Sequence, residues 1–198
     1  MKGVLLLAEP STIDLLTGHA SSNERAPGMA VSRSLMSTLL KCGLAVGVSD
    51  FLFASVSNWF MQHRTPVRVF QGVASVPFGQ GALNGGLATA ALGLAMHFCV
   101  ALFWSAVYLL VTRSSSAMRR LVQTPQGATL FAAIYGPFIW IVMTYIVIPA
   151  FVHRPPTHSP IWWVQLVGHA VFVVGPMIWA AGDGRGARSS HSALRTAD

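Results

Sequence analysis

Charged side chains are scarce in this chain. Asp, Glu, Lys and Arg make up 10% of its 198 residues, whereas hydrophobic residues make up 53%. Ordinary soluble domains carry about 25% charged residues, so the composition excludes that class. The net charge is +7, but the basic residues are dispersed and form no basic amphipathic helix or recognition motif. We therefore expect no nucleic-acid partner.

Cysteine is nearly absent too, because Cys42 and Cys99 are the only two. Both fall inside long apolar segments at different depths, too far apart for a disulfide, and we expect them to pack as small apolar side chains. The chain has no Cys-x-x-Cys pair and no metal-ligand spacing. It also lacks a nucleophile elbow and a His-Glu-x-x-His pattern, so we assign no catalytic residue and no metal site, and the sequence favours a non-enzymatic protein over an intramembrane hydrolase without deciding between them.

Long uncharged apolar runs dominate what is present. Four segments are long enough to cross a bilayer, at about residues 38–60, 87–111, 127–152 and 161–181. They predict an all-α membrane protein, a bundle of four transmembrane helices within residues 34–182, with the lipid bilayer as its partner. Residues 1–33 are expected to be a flexible extension and residues 183–198 a disordered tail.

Arginine placement predicts the orientation of the spans. Eight arginines flank the N-terminus, the second loop and the C-terminus, whereas three lie in the alternate loops. By the positive-inside rule, both termini are expected to be cytoplasmic. The first connection, Met61 to Gly86, holds an apolar piece broken by Pro77 and several glycines, which predicts a short interfacial or re-entrant segment. In the third span, Pro137 is expected to kink the helix.

The second span contains one polar ring, His97, in 25 residues without Asp, Glu, Lys or Arg. On a helical wheel this histidine lies on a stripe of mainly small residues, which a membrane helix turns towards its neighbours. The stripe consists of Gly86, Ala90, Gly93, Ala101, Trp104 and Tyr108.

Asp50 in the first span and His169 in the fourth are expected at a membrane depth similar to that of His97. Asp50, in the first span, shares a face with the pair Gly43-x-x-x-Gly47. In the fourth span, Trp162, Gln165 and His169 share a face that Phe172, Val173 and Pro176 continue. A buried carboxylate in a membrane needs a proton or a partner. We therefore predict an intramembrane polar cluster, with two readings open: a functional group, or histidines that bond carbonyls and fix helix packing. Its candidate members are Asp50, His97, His169, Gln165 and Tyr108.

The chain also resembles the YagU-like family of small bacterial inner-membrane proteins. The resemblance covers about residues 38–182 and implies a multi-pass protein of the bacterial inner membrane. It rests on Arg64-Thr65-Pro66, on His97-Phe98 with Ala101 and Tyr108, on Val152 to Pro156, and on Gly168-His169-Ala170-Val171-Phe172.

Two functions follow from the polar cluster. The first is a small transporter or permeation element, or an accessory membrane subunit, with a protonatable cluster and no cofactor. Because four helices make a thin wall for a solute pathway, a homo-oligomer or a membrane-protein partner is expected. The alternative is a membrane redox protein in which His97 and His169 bind one haem as axial ligands.

Overall fold

The computed structural model describes residues 27–153 and 157–182. The chain divides into two compact units, Met1–Leu35 and Met36–Asp198, and the described part of the first is only the beginning of one helix. Within the described ranges every regular element is helical, which confirms the all-α class.

Four long helices and two short ones make up the described chain. Helices α1, α3, α5 and α6 are each long and apolar enough to cross a membrane, which confirms the four predicted spans to within a few residues at each end. A 3₁₀ turn, Gln80–Asn84, joins α2 to α3. The helices are α1 (Pro27–Gln62, its apolar part beginning at Arg33), α2 (Pro66–Phe78), α3 (Gly86–Ser114), α4 (Ser116–Leu121), α5 (Pro125–Val152) and α6 (Pro160–Gly182).

Local chemistry explains where several helices begin. The hydroxyls of Thr65 and Thr124 accept hydrogen bonds from backbone N–H groups in the first turns of α2 and α5, at 3.3 and 3.1 Å, and a proline follows each. Helix α1 begins at Pro27, inside the expected flexible extension of residues 1–33. A proline at the first helical position explains this earlier start. Residues 1–26 and the expected tail, 183–198, lie outside the described residues.

The four spans of the second unit pack as a closed ring, α1 to α3 to α5 to α6 and back to α1. Glycines make three of the contacts close. Gly47 of α1 lies against Phe98 of α3, Gly136 of α5 lies against the backbone of α6 at Ala170, and Gly168 of α6 lies against the ring of Phe53 in α1. A side chain at any of these glycines would collide with its neighbour, so the helix spacing depends on them.

The side chains of the four spans differ in whether they face the outside of the ring or a neighbouring helix. On α1, Leu44, Val48, Leu52 and Val56 repeat every four residues and are all exposed, as a lipid-facing stripe requires. On α3 the predicted stripe is buried at Ala90, Gly93, Ala101, Trp104 and Tyr108, whereas Gly86 is exposed. The Tyr135 hydroxyl of α5 donates to the Trp104 carbonyl at 3.1 Å and ties α5 to α3.

Helix α2 is the segment expected between the first two spans. At 13 residues it is about 20 Å long, too short to cross a bilayer. It packs on α3 where the backbone of Phe70 and Ala74 meets Gly93. Only glycine allows so close an approach, because a Cβ at position 93 would overlap the Phe70 carbonyl.

Both α5 and α6 contain a wide π-helical turn, at Met143–Val147 and His169–Val174. The kink at Pro137 stays a prediction, and Pro125–Val142 continues as one α-helical segment through that proline. The wide turn of α5 precedes Pro149, whose ring would clash with the carbonyl of Tyr145 in a regular helix. In α6, Val173 is buried, as the predicted face requires, whereas Phe172 of the same face is 39% exposed and stacks on Phe53 of α1. Val174, which lies outside the predicted face, is fully buried.

The α5–α6 contact provides a test of the ring. In the Gly136→Ala variant the new methyl group collides with backbone atoms of α6, which cannot move aside as a flexible side chain could. We therefore expect the free energy of unfolding to fall by about 1–3 kcal/mol. The matched control is Gly175→Ala in α6, where the methyl meets open space. It should be neutral or stabilising by about 0.4–1 kcal/mol. Unfolding in mixed micelles, followed by circular dichroism, gives both values. Equal stability of the two variants would contradict this packing.

Candidate intramembrane polar site

His97 reaches from α3 to the backbone of α1. Its Nε2 atom lies 3.0 Å from the carbonyl oxygen of Gly47. Because a carbonyl only accepts hydrogen bonds, Nε2 carries a proton and donates it. Gly47 lets α3 come this close, since a Cβ there would collide with the ring of Phe98, the residue next to His97.

Asp50 lies one turn further along α1, on the same face as Gly47. Its Oδ2 atom is 3.8 Å from Nδ1 of His97, which is ion-pair distance but longer than a direct hydrogen bond. Its other oxygen, Oδ1, is buried without a hydrogen-bond partner. The side chains of His97 and Asp50 are 13% and 16% exposed, so both are largely withdrawn from the surroundings of the protein. We call these two residues the Asp50–His97 pair.

The hydrogen bond to Gly47 limits how the pair holds protons. Because Nε2 keeps its proton, a second proton taken up by the pair has two places, Nδ1 of His97 or a carboxyl oxygen of Asp50. In the first form an imidazolium faces a carboxylate, and in the second a neutral imidazole faces a neutral carboxylic acid. Both forms have zero net charge. A shift of about 0.7 Å would bring the two groups to hydrogen-bond distance.

Aromatic rings enclose the pair. The ring of Phe70, from α2, meets the imidazole of His97 edge-on at a centroid distance of 5.5 Å. The same ring stacks on Phe51 of α1 at 5.1 Å, and Phe98 contacts the imidazole from α3 at 5.8 Å. Three helices therefore surround His97 with apolar surface, which lowers the local dielectric and strengthens the electrostatic coupling to Asp50.

His169 and Gln165 form a separate polar group on α6. The His169 Nδ1 atom donates to the Gln165 carbonyl at 2.7 Å, and Gln165 Nε2 donates to the Ser57 hydroxyl of α1 at 3.0 Å. The imidazole of His169 also lies against Trp140 of α5, with ring centroids 4.9 Å apart. Across the described ranges, no hydrogen bond or ion pair joins His169 to Asp50 or His97.

Tyr108 lies away from both groups. It is eleven residues from His97 along α3, about 16 Å in a helix, and its fully buried ring packs against Phe131 of α5. The structure thus distributes the five candidate residues over three places: the Asp50–His97 pair, the Gln165–His169 group and the aromatic core around Tyr108.

Sequence reasoning missed several residues that complete these groups. Ser57 follows Asp50 by two helical turns, so helical spacing places it on the same face of α1. Phe70 gave no such signal, because its contact with His97 depends on how α2 packs. Trp162 lies on the predicted face of Gln165 and His169. It is only 8% exposed and lies against Trp140, whereas Trp163 is 55% exposed.

His97 and His169 differ in whether a ring nitrogen is left for a haem iron to bind. In His97 both ring nitrogens already have protein neighbours, Gly47 and Asp50, and iron would have to replace one of them. In His169 the contact with Gln165 engages Nδ1, and Nε2 makes no hydrogen bond within the described chain. Among residues 27–153 and 157–182, no group of three or more His, Cys, Asp or Glu side chains is arranged to hold a metal ion.

These observations define the class: a multi-pass α-helical membrane protein with an acid–imidazole pair between two of its spans. Comparisons of the chain with protein-family models, curated proteins and solved structures find no match.

The bond between Gln165 and Ser57 predicts a measurable coupling between α1 and α6. A double-mutant cycle of Ser57→Ala and Gln165→Leu should give a coupling energy of about 0.6 kcal/mol, the size typical of hydrogen bonds between membrane helices. Pairing Ser57→Ala with Thr129→Val, whose hydroxyl bonds to its own helix, should give no coupling. Unfolding free energies in mixed micelles supply all the values. A coupling of zero for the first pair would show that this contact contributes nothing.

Proposed function

We propose that the protein is a small transporter or permeation element that moves protons through the membrane by way of the Asp50–His97 pair. One observation carries the proposal: His97 donates to the Gly47 carbonyl through Nε2 and turns Nδ1 towards a carboxylate 3.8 Å away. A proton that reaches the pair can then move between two bases inside a hydrophobic span. Ionisable groups inside spans are expensive, and they mark proton relays and substrate paths.

Electrostatics explain why a pair suits this task better than a lone carboxylate. A single charged Asp at mid-membrane costs about 2.5–3.5 kcal/mol on insertion scales. Once the pair has taken up a second proton, the carboxylate either faces an imidazolium or is itself protonated, so no net charge is buried in either form. The buried, unpartnered Oδ1 of Asp50 supplies a second acceptor, at which an incoming proton can bind.

The proposal extends to orientation and assembly. The arginine distribution supports cytoplasmic termini, and the resemblance to the YagU-like family supports the bacterial inner membrane. Because four helices enclose little space, we propose that the chain acts as a homo-oligomer or beside a membrane-protein partner. It is proposed to work without a cofactor.

Proton flux in proteoliposomes tests the proposal. We expect Asp50→Asn and His97→Gln each to reduce dissipation of an imposed pH gradient about tenfold or more, because either change removes one of the two sites that hold the mobile proton. A pH-sensitive dye trapped in the vesicles measures the flux.

Matched controls come from the other histidines. His158→Gln makes the same substitution at an exposed position beside Tyr145 and should leave the flux unchanged. His169→Gln tests whether the second polar group takes part. If Asp50→Asn and His97→Gln fold normally and conduct as well as the unmodified protein, the pair has no role in transport.

A further inference from the structure

We propose that α2 is a gate over the Asp50–His97 pair and that the ring of Phe70 is the part that closes it. The inference rests on the proposed function for its purpose, since a gate matters only if protons reach the pair. Its geometry and its test are independent of transport.

The closing contact is made by one side chain. Phe70 is 3% exposed, and its ring stacks on Phe51 while its edge meets the imidazole of His97. It thereby joins α1, α2 and α3 at the pair. Because α2 does not cross the membrane, its place on α3 is not imposed by insertion, and the ring covers the imidazole only while α2 stays docked.

Two side-chain hydrogen bonds hold α2 in this docked position. Arg68 donates through Nη1 to the Leu83 carbonyl at 2.5 Å, and Gln71 donates through Nε2 to the Gly86 carbonyl at 3.0 Å. Both acceptors lie just before or at the start of α3. These bonds flank Phe70 in sequence, so they fix the helix on either side of the ring.

The connections at both ends of α2 contain residues in left-handed backbone conformations. His63 precedes the helix with φ of 53°, Gly79 follows it with φ of 76°, and Gly86 begins α3 with φ of 63°. Glycine adopts such angles at little cost, which makes the Gly79–Gly86 connection able to change its path. Helix α2 packs against α3 at Gly93, which has no side chain. The helix is therefore bounded by residues that permit a change of backbone direction, and it is held by two side-chain hydrogen bonds together with its packing on Gly93.

Chemical accessibility of the pair tests the gate. In a chain with Cys42→Ala and Cys99→Ala, the change His97→Cys places a reporter thiol beneath Phe70. Modification by a membrane-impermeant cationic methanethiosulfonate reagent is followed in proteoliposomes with the reagent on either side. We expect Phe70→Ala to raise the modification rate about tenfold from one side only, because removing the ring uncovers the thiol.

The matched control is Phe78→Ala, the same substitution in α2 at a side chain that is 62% exposed, and it should leave the rate unchanged. A second gate variant, Gln71→Met, keeps the side-chain length but removes the bond to the Gly86 carbonyl, and it should raise the rate about threefold. Circular dichroism and size-exclusion chromatography confirm folding of each chain. Equal rates in folded Phe70→Ala, Gln71→Met and Phe78→Ala would overturn the gate.

The two proposals fail separately. The reporter chain has no His97, so its modification does not require proton transport. If Phe70→Ala uncovers the thiol but Asp50→Asn leaves proton flux intact, the gate stands and the transport function is wrong. If Asp50→Asn abolishes flux while the modification rates are equal, the transport function stands and α2 is a fixed cover.

Discussion

The hydrogen bond from His97 to the carbonyl of Gly47 is the contact on which the candidate site depends. It requires α1 and α3 to approach closely, and Gly43 and Gly47 permit this because Leu102 and Phe98 of α3 fill the space that side chains there would occupy. The bond fixes the tautomer and the direction of the imidazole in one step, as a second hydrogen bond commonly does for functional histidines. Asp50, one turn along α1, then faces the only ring nitrogen that remains.

The aromatic residues around His97 determine the dielectric environment of the Asp50–His97 pair. Phe51, Phe70 and Phe98 cover the imidazole with apolar surface, so the electrostatic coupling between His97 and Asp50 acts in a medium of low dielectric. A pair that has taken up a second proton carries no net charge, whether that proton lies on Nδ1 or on the carboxyl group. The second polar group, around Gln165 and His169, bonds to backbone and to Ser57, which is the pattern expected of a contact that sets helix packing. The reading in which a histidine fixes helix packing therefore suits His169, and the functional reading is proposed for His97 alone.

Much of the fold follows from the sequence because hydropathy and length determine spans almost by themselves. The helical wheel also places His97, and Asp50 with Gly47, on their helices' inner faces. It misses the burial of Val174, because the π turn at His169–Val174 changes the helical period that the wheel assumes. Contacts that depend on a third element, such as Phe70 on His97, have no periodic signal. Tyr108 shares the face of His97 but not its depth, which a wheel does not record.

The protonation of His97 in lipid bilayers tests the account most directly. Nitrogen-15 NMR of protein labelled at histidine, with His97 assigned by comparison with His97→Gln, distinguishes Nε2–H from Nδ1–H. The account predicts a proton on Nε2 throughout the pH range in which the protein is folded, and a signal from Nδ1 that changes in Asp50→Asn. A folded protein whose His97 carries its proton on Nδ1 alone, with Nε2 bare, would contradict the bond to Gly47 and the shared proton that depends on it.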